Sequence, residues 1–252
     1  MPKLANIDPN LSVVLNVTGT NYQFSGVRPE NLGALTYTIV TIVCDISGSV
    51  DSYIDDLMNM VRECVRSCKA HPQHINLIIR LVTFNNDHYE VIGFVEVDSV
   101  DENTIVKFHC GGMTALFDAT YYSISSMFEY SKVLVVDNEM TVNGSVFIIT
   151  DGENNISTFT AEKIKTLIED INKSEILTSL VTILIGINDA QCGKSLQAFK
   201  DEAGLSQYVS VANANAKSLA KLGQFISQSI SSSSKAILQG QGSQPISVQP
   251  SF

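Results

Sequence analysis

From Tyr37 onward, short apolar runs alternate with longer stretches whose apolar residues return every three or four positions. No other feature restricts the fold as much. The runs "TYTIVTIVCD", "SVFIITD" and "LVTILIGI" show no polar alternation, so each reads as a strand buried on both faces. A sheet of such strands is stable only when helices cover both sides. The intervening stretches supply them. "SYIDDLMNMVRECVRSCKA" places Ile54, Leu57, Met58, Val61 and Val65 at helical spacing, with Ser52 as a cap and Asp55 three residues on as its capping-box partner. "GGMTALFDATYYSISSMFEY", "TAEKIKTLIEDINKS", "KSLQAFKDEAG" and "SLAKLGQFISQSI" follow the same pattern.

"INLIIRLVTF" and "YEVIGFVEV" are joined by a short polar connection at Asn85 to His88, which predicts a hairpin and hence an antiparallel edge strand. With "QYVSV", the predicted fold class is α/β: a doubly wound, mostly parallel central sheet of about six strands, one antiparallel edge strand and helices on both faces. "KVLVV", within a long connection, is apolar enough for an extra strand or an interface, or for plain core packing.

Two end segments differ from this pattern. Residues 1–34 contain "LSVVLNV" among Gly, Asn and Pro, predicting an added strand or hairpin before a main domain at 35–230. Residues 231–252, "SSSSKAILQGQGSQPISVQPSF", carry few apolar side chains to offset ordering entropy and read as a tail. Its apolar anchors Ile237, Leu238, Ile246, Val248 and Phe252 would order only by packing on another surface, so homo- or hetero-oligomer contacts through the tail are expected.

A chain of 252 residues with 44% hydrophobic residues can build one sizeable core. The formal net charge of −10 and the lack of a basic cluster argue against a nucleic-acid partner. The five cysteines lie mostly in apolar stretches, which predicts reduced thiols; Cys64 and Cys68 share a helix face, but zinc would need two further ligands. "MPKLANIDPN" lacks the charged and apolar regions of a signal peptide, and no apolar stretch approaches a membrane span, so a cytoplasmic protein with no membrane partner is expected.

Ligands of an open α/β sheet bind beyond the carboxyl ends of its strands. Three segments expected there are rich in oxygen: Asp45-Ile46-Ser47-Gly48-Ser49, then Gly111-Gly112-Met113-Thr114, then Thr150-Asp151-Gly152. Hydroxyls and carboxylates without imidazole or thiolate suit a hard cation, Mg²⁺ or Mn²⁺. Gly48 is expected to give the backbone room to bring both serine hydroxyls toward one ion.

These residues resemble the von Willebrand factor A domain family with its metal-ion-dependent adhesion site, D-x-S-x-S on the first loop, Thr on a second and Asp on a third. Asp45, Ser47, Ser49, Thr114 and Asp151 match all five positions, and the strand and helix pattern fits from about Tyr37 to Ile230. The resemblance implies that Ser47, Ser49 and Thr114 touch the metal directly while Asp45 and Asp151 act partly through water. It also implies an open position for a Glu or Asp carboxylate of a partner protein. With only two carboxylates the ion keeps the electrophilic character such a bond needs. Glu153, Asn154, Asn155 and Asp51 read as solvated loop residues, with an acidic rim to the site as the other reading.

Other chemistry fits less well. "GINDAQCGKS" lacks the glycine spacing of a phosphate-binding loop, neither Ser47 nor Ser49 has a nucleophile-elbow frame, and His109 reads as a loop residue. The expectation is a non-enzymatic protein-binding module with no catalytic residues. The alternatives are a structural subunit of a larger bacterial or phage assembly with a vestigial or stabilising metal site, and a divalent-metal phosphoesterase. The latter would need a positioned base and cationic phosphate clamps that the three loops lack.

Overall fold

The computed structural model describes residues 10–106 and 108–245. Its strands are β1 (Ser12–Asn16), β2 (Gln23–Val27), β3 (Thr36–Asp45), β4 (Leu77–Phe84), β5 (His88–Glu96), β6 (Thr141–Thr150), β7 (Leu180–Ile187) and β8 (Gln207–Val211). The helices are α1 (Ile54–Lys69), α2 (Leu116–Val135), α3 (Ala161–Ser174), α4 (Gly193–Ala203) and α5 (Ala216–Leu238). All eight strands form one sheet in the order β1, β2, β5, β4, β3, β6, β7, β8. The five from β4 to β8 in that order run parallel, while β5 is antiparallel to β4.

Alternation along β3 builds the two cores. Val40, Ile42 and Cys44 pack with α1 and α5, and Ile39 and Val43 pack on the other face with α2, α3 and α4. Full burial of each such aliphatic side chain contributes about 1.5–3 kcal/mol, so packing of the layers outweighs the propensity of any one helix.

The hairpin β1–β2 changes the expected edge. β5 is not an edge strand, because β2 lies beside it, meeting it in parallel register at Gly26 and Phe94, and β1 closes the sheet. The reason is a charge inside the sheet. Arg80 of β4 and Glu90 of β5 have side chains with no solvent exposure and form an ion pair at 2.8 Å. Glu90 accepts hydrogen bonds from both the backbone N–H (3.0 Å) and the hydroxyl of Ser25 in β2. Arg80 donates to Ser126 Oγ at 2.7 Å and Tyr22 Oη at 3.3 Å. An exposed β5 edge would leave this pair half-covered, and the hairpin completes its burial and its hydrogen bonds.

Three local expectations also change. Ser52 does not cap α1: the segment Gly48–Ser52 is a 3₁₀ turn, and the N-cap Tyr53 makes no side-chain capping bond. "KVLVV" is not a strand but the end of α2, with Leu134 fully buried and Val136 exposed. The serine run 231–234 is not tail. It continues α5, with Ser233 and Ser234 buried, because small side chains let the helix approach β6 closely: Asn143 Nδ2 donates to the Ser233 carbonyl at 2.9 Å. Beyond the helix, Ser243 N–H donates to Ser179 Oγ at 2.8 Å. Ile246, Val248 and Phe252, named above as tail anchors, lie outside the described residues. Among the described residues no helix is long and apolar enough to cross a membrane.

Candidate metal centre

Asp45 is the last residue of β3 and is 1% exposed. Both of its oxygens are engaged: Oδ1 accepts from Ser47 N–H at 2.7 Å and Oδ2 from Thr150 Oγ1, at the end of β6, at 2.7 Å. The turn that follows brings Ser47 Oγ and Ser49 Oγ within 3.2 Å. Ser49 Oγ then donates to Asp151 Oδ1 at 2.6 Å, joining positions 102 residues apart. Thr114, 4% exposed, is tied to the Asp151 loop through Asn155, whose Oδ1 accepts from Thr114 N–H at 2.8 Å and whose N–H donates to the Thr114 carbonyl at 3.1 Å. A Cβ placed on Gly152 would lie 3.6 Å from Thr114 Oγ1. All five residues singled out in the sequence therefore gather at the carboxyl ends of β3 and β6.

Burial pushes the Asp45 carboxyl up to about 6; hydrogen bonds from Thr150 and Ser47 oppose this, and the charge of Asp151 adds to it. The charged group that bears on Asp45 is thus another carboxylate, and a cation between the two would relieve both burial and repulsion. Tyr53 hydrogen-bonds to Asp151, and burial followed by the Asp151 charge holds its hydroxyl protonated far above the usual tyrosine range. The Cys192 thiol donates to the Asp151 carbonyl at 3.5 Å. Among the described residues no group of three or more His, Cys, Asp and Glu side chains is placed to hold a metal ion. A cation here would rest on hydroxyls and two carboxylates, a donor set that fits Mg²⁺ or Mn²⁺ and suits zinc poorly.

Sequence reasoning missed the residues that hold the loops. Asn85 Nδ2 donates to the Gly111 carbonyl at 2.8 Å, and Asn86 Oδ1 accepts from Met113 N–H at 2.7 Å, so the β4–β5 turn braces the Thr114 loop. Helix α2 has no side-chain cap of its own. Its free amides at Phe117 and Asp118 donate to Ser157 Oγ at 3.0 and 3.1 Å, and in return Asp118 accepts from Thr158 and Phe159 N–H at 2.9 and 2.8 Å. Asn154 and Asn155 are therefore loop clamps, Asn154 half-buried and Asn155 exposed, and Asp51 and Glu153 are exposed as well. The signal was present in "TFNND" and "ENNIS", where asparagine offers both a donor and an acceptor to irregular backbone.

The required glycine is also a different one. A Cβ on Gly48 would meet only the Gly112 carbonyl oxygen, at an ordinary 3.9 Å. Gly112 has φ +79° and its Cβ would fall 2.2 Å from Asn86 Oδ1. Gly48→Ala should change stability by less than about 1 kcal/mol, while Gly112→Ala should cost about 1–3 kcal/mol through left-handed strain and the lost Asn86 brace. Urea unfolding of the two variants checks this, and equal midpoints would contradict it.

Other groups stand apart from the site or serve the fold. Cys64 and Cys68 are fully buried in α1 and hydrogen-bond to each other, and His109 is exposed. In the loop after β7, Gly193 N–H donates to the Asp189 carbonyl at 2.7 Å, and the Asp189 carboxylate accepts from Tyr208 Oη and Ser210 Oγ, which ties the loop to β8.

No protein-family model and no curated protein sequence matches the chain. Solved structures with a similar fold include the PilB minor pilin from Streptococcus sanguinis, with a TM-score of 0.54 at 16% identity, covering 82% of this chain and 64% of that one. The pilus adhesin SpaC from Lactobacillus rhamnosus GG gives a TM-score of 0.56 at 10% identity, covering 90% of this chain and 36% of the adhesin. Proximal thread matrix protein 1 from the mussel byssus gives 0.52 at 16% identity, covering 78% and 46%. The chain spans less than two thirds of the length of each. At these identities the likeness establishes a shared α/β fold, a mostly parallel sheet flanked by helices.

Proposed function

We propose that the chain is a von Willebrand factor A-type binding module. Asp45, Ser47, Ser49, Thr114 and Asp151 hold a Mg²⁺ or Mn²⁺ ion through which a Glu or Asp side chain of a partner protein is engaged. The observation that carries this reading is the linked set Ser47 Oγ, Ser49 Oγ and Asp151 Oδ1, closed at 3.2 and 2.6 Å between loops far apart in sequence, with Thr114 on the loop beside them.

When bound, the ion supplies a Lewis-acidic point for an external carboxylate oxygen. The chain's own residues do the rest. Thr150 and the Ser47 amide hold Asp45 in one rotamer, and Tyr53 with Ser49 fixes Asp151, so the site is preorganised rather than assembled on binding. Met113 and Ile156, 45% and 41% exposed, stand on the loops that carry Thr114 and Asp151 and offer apolar contact to a protein surface around the polar centre. The three loops bring no Lys or Arg to the site that would clamp a phosphate, which favours binding over phosphoester hydrolysis.

Capture of partners from lysate by the immobilised protein should occur in Mg²⁺ and reverse in EDTA, and Thr114→Ala, folded by circular dichroism, should lose at least about tenfold of that capture. Capture that persists unchanged in EDTA and in the variant would refute the metal-mediated reading and favour a subunit of a larger assembly.

A further inference from the structure

The hairpin that seals Arg80 and Glu90 leaves a bare edge of its own. The Leu11 carbonyl accepts from Arg28 N–H at 2.9 Å and Val17 N–H donates to the Tyr22 carbonyl at 2.9 Å, so the odd-numbered residues of β1 turn their backbone groups inward to β2. Ser12, Val14 and Asn16 therefore direct N–H and C=O away from the sheet, where no further strand lies among the described residues. Edges of this kind are ordinarily blunted by a charge, a proline or a bulge. β1 has none of these: no charged residue or proline stands between Leu11 and Val17, and its register with β2 is unbroken. Val14 is 42% exposed, and Val13 and Leu15 are half-buried. Beside Leu15 opens a groove of about 270 Å³ whose other apolar walls are Val133, Val136 and Ile176.

We infer that this edge binds a second copy of the chain, β1 against β1 in antiparallel register about a two-fold axis at Val14. Two constraints select that centre. The first is backbone phase: centring on Val14 sets all three outward residues opposite outward residues, each pair exchanging two N–H···O bonds, whereas centring on Val13 or Leu15 keeps only two such pairs within the strand. The second is the side-chain pattern. Ser-Val-Val-Leu-Asn carries polar residues at both ends, so the same register sets Ser12 opposite Asn16 and Val14 opposite itself on one face, and Val13 opposite Leu15 on the other. No like charges meet, and Val13 of the second copy covers Leu15 at the rim of the groove. A strand of another protein would gain the same backbone bonds, but only a second copy brings this match with it. The interface is isologous, so each copy occupies the other's edge and growth through it stops at two. The reversed strand direction puts the carboxyl ends of the two β3 strands at opposite ends of the joined sheet. Under the function proposed above, such a dimer bridges two partners instead of gripping one, but the pairing itself does not rest on that reading.

Sedimentation equilibrium of the full chain in EDTA and about 0.15 M salt, which screens the net charge of −10, should show monomer and dimer with a dissociation constant on the order of 100 µM, weak because five residues a side make a small interface. Val14→Lys and Val14→Glu, both folded by circular dichroism because the side chain is exposed, should each weaken dimerisation at least about tenfold by setting like charges face to face on the axis. An equimolar mixture of the two should dimerise again, as one Lys with one Glu, a rescue specific to an axis at this residue. A measurement without any variant checks the register: amide exchange at Ser12, Val14 and Asn16 should slow as concentration rises, while Val13 and Leu15, already bonded to β2, should not change. A chain monomeric at about 1 mM, dimerisation unchanged in either variant, a mixture no tighter than its components, or exchange at the outward amides independent of concentration would overturn the inference. So would a monomer that dimerises only once residues 1–9 are removed, since that assigns the edge to the chain's own N-terminus. Working in EDTA keeps this result apart from the metal reading: each can fail while the other stands.

Discussion

Arg80→Met is expected to lower the unfolding free energy by about 3–5 kcal/mol, the largest single effect of any substitution considered, because it leaves the Glu90 carboxylate buried without its cation. Among the described residues Glu90 then keeps only the Ser25 N–H and hydroxyl as partners, and its side chain has no exposure to water that would compensate. The double substitution Arg80→Met with Glu90→Leu should recover most of the loss, since a well-packed apolar pair of similar volume often equals or exceeds a buried ion pair in stability. Urea unfolding of the wild type, both single variants and the double variant gives the coupling energy directly. A single-variant loss under about 1 kcal/mol would mean that water reaches the pair and that the β1–β2 hairpin does not seal it as described.

The second large effect runs the other way. Without metal, Asp45 is a buried carboxylate whose pKa is pushed up by burial to about 6, against 3.8 for an aspartate in water. Since the folded state holds the proton more tightly than the unfolded chain, ionisation of Asp45 opposes folding. That cost is absent below about pH 4, grows as pH rises through about 6 and is complete above it. At about 1.4 kcal/mol per pKa unit it amounts to roughly 3 kcal/mol near pH 8. Asp45→Asn keeps an acceptor for Ser47 N–H and offers a donor to Thr150 Oγ1 without the charge. In EDTA at pH 8 it should therefore be more stable than the wild type by about 1–3 kcal/mol, with the advantage vanishing near pH 4. In excess Mg²⁺ the order should reverse, because the variant loses the ion's contribution. Thermal melts across this pH range in EDTA and in Mg²⁺ measure both halves. A variant less stable than the wild type in EDTA at pH 8 would show that the Asp45 charge is already compensated by protein groups. Such a trade of stability for charge is what a site built for a ligand exhibits.

The layered α/β frame was legible because its signals are local: β-branched runs in β3, β6 and β7, and apolar spacing in α1 and α3. That the five candidate residues come together follows from their places in the chain: Asp45 ends β3, Asp151 follows β6, Ser47 and Ser49 lie on the turn before α1 and Thr114 precedes α2. What escaped depends on contacts across the sequence. Arg80 and Glu90 sit in apolar runs as apparent exceptions, and only the pairing of β4 with β5 and the cover of Ser25 make them a buried pair. The serine run in α5 looks polar in composition, yet its small side chains are what let the helix lie against β6. Gly112, not Gly48, proved the constrained glycine because the constraint comes from Asn86 on another loop. The clamps at Asn154, Asn155 and Ser157 likewise exist only once the Thr114 and Asp151 loops are adjacent.

The account turns on whether the five-residue oxygen set binds a divalent cation, and calorimetric titration of the metal-free protein with MnCl₂, repeated with Thr114→Ala, tests this most directly. One site per chain with an affinity in the micromolar to millimolar range, on the order of 4–8 kcal/mol, and at least about tenfold weaker in the variant is the result predicted. No heat above dilution in the wild type, with melting unchanged between excess Mn²⁺ and EDTA, would contradict the account.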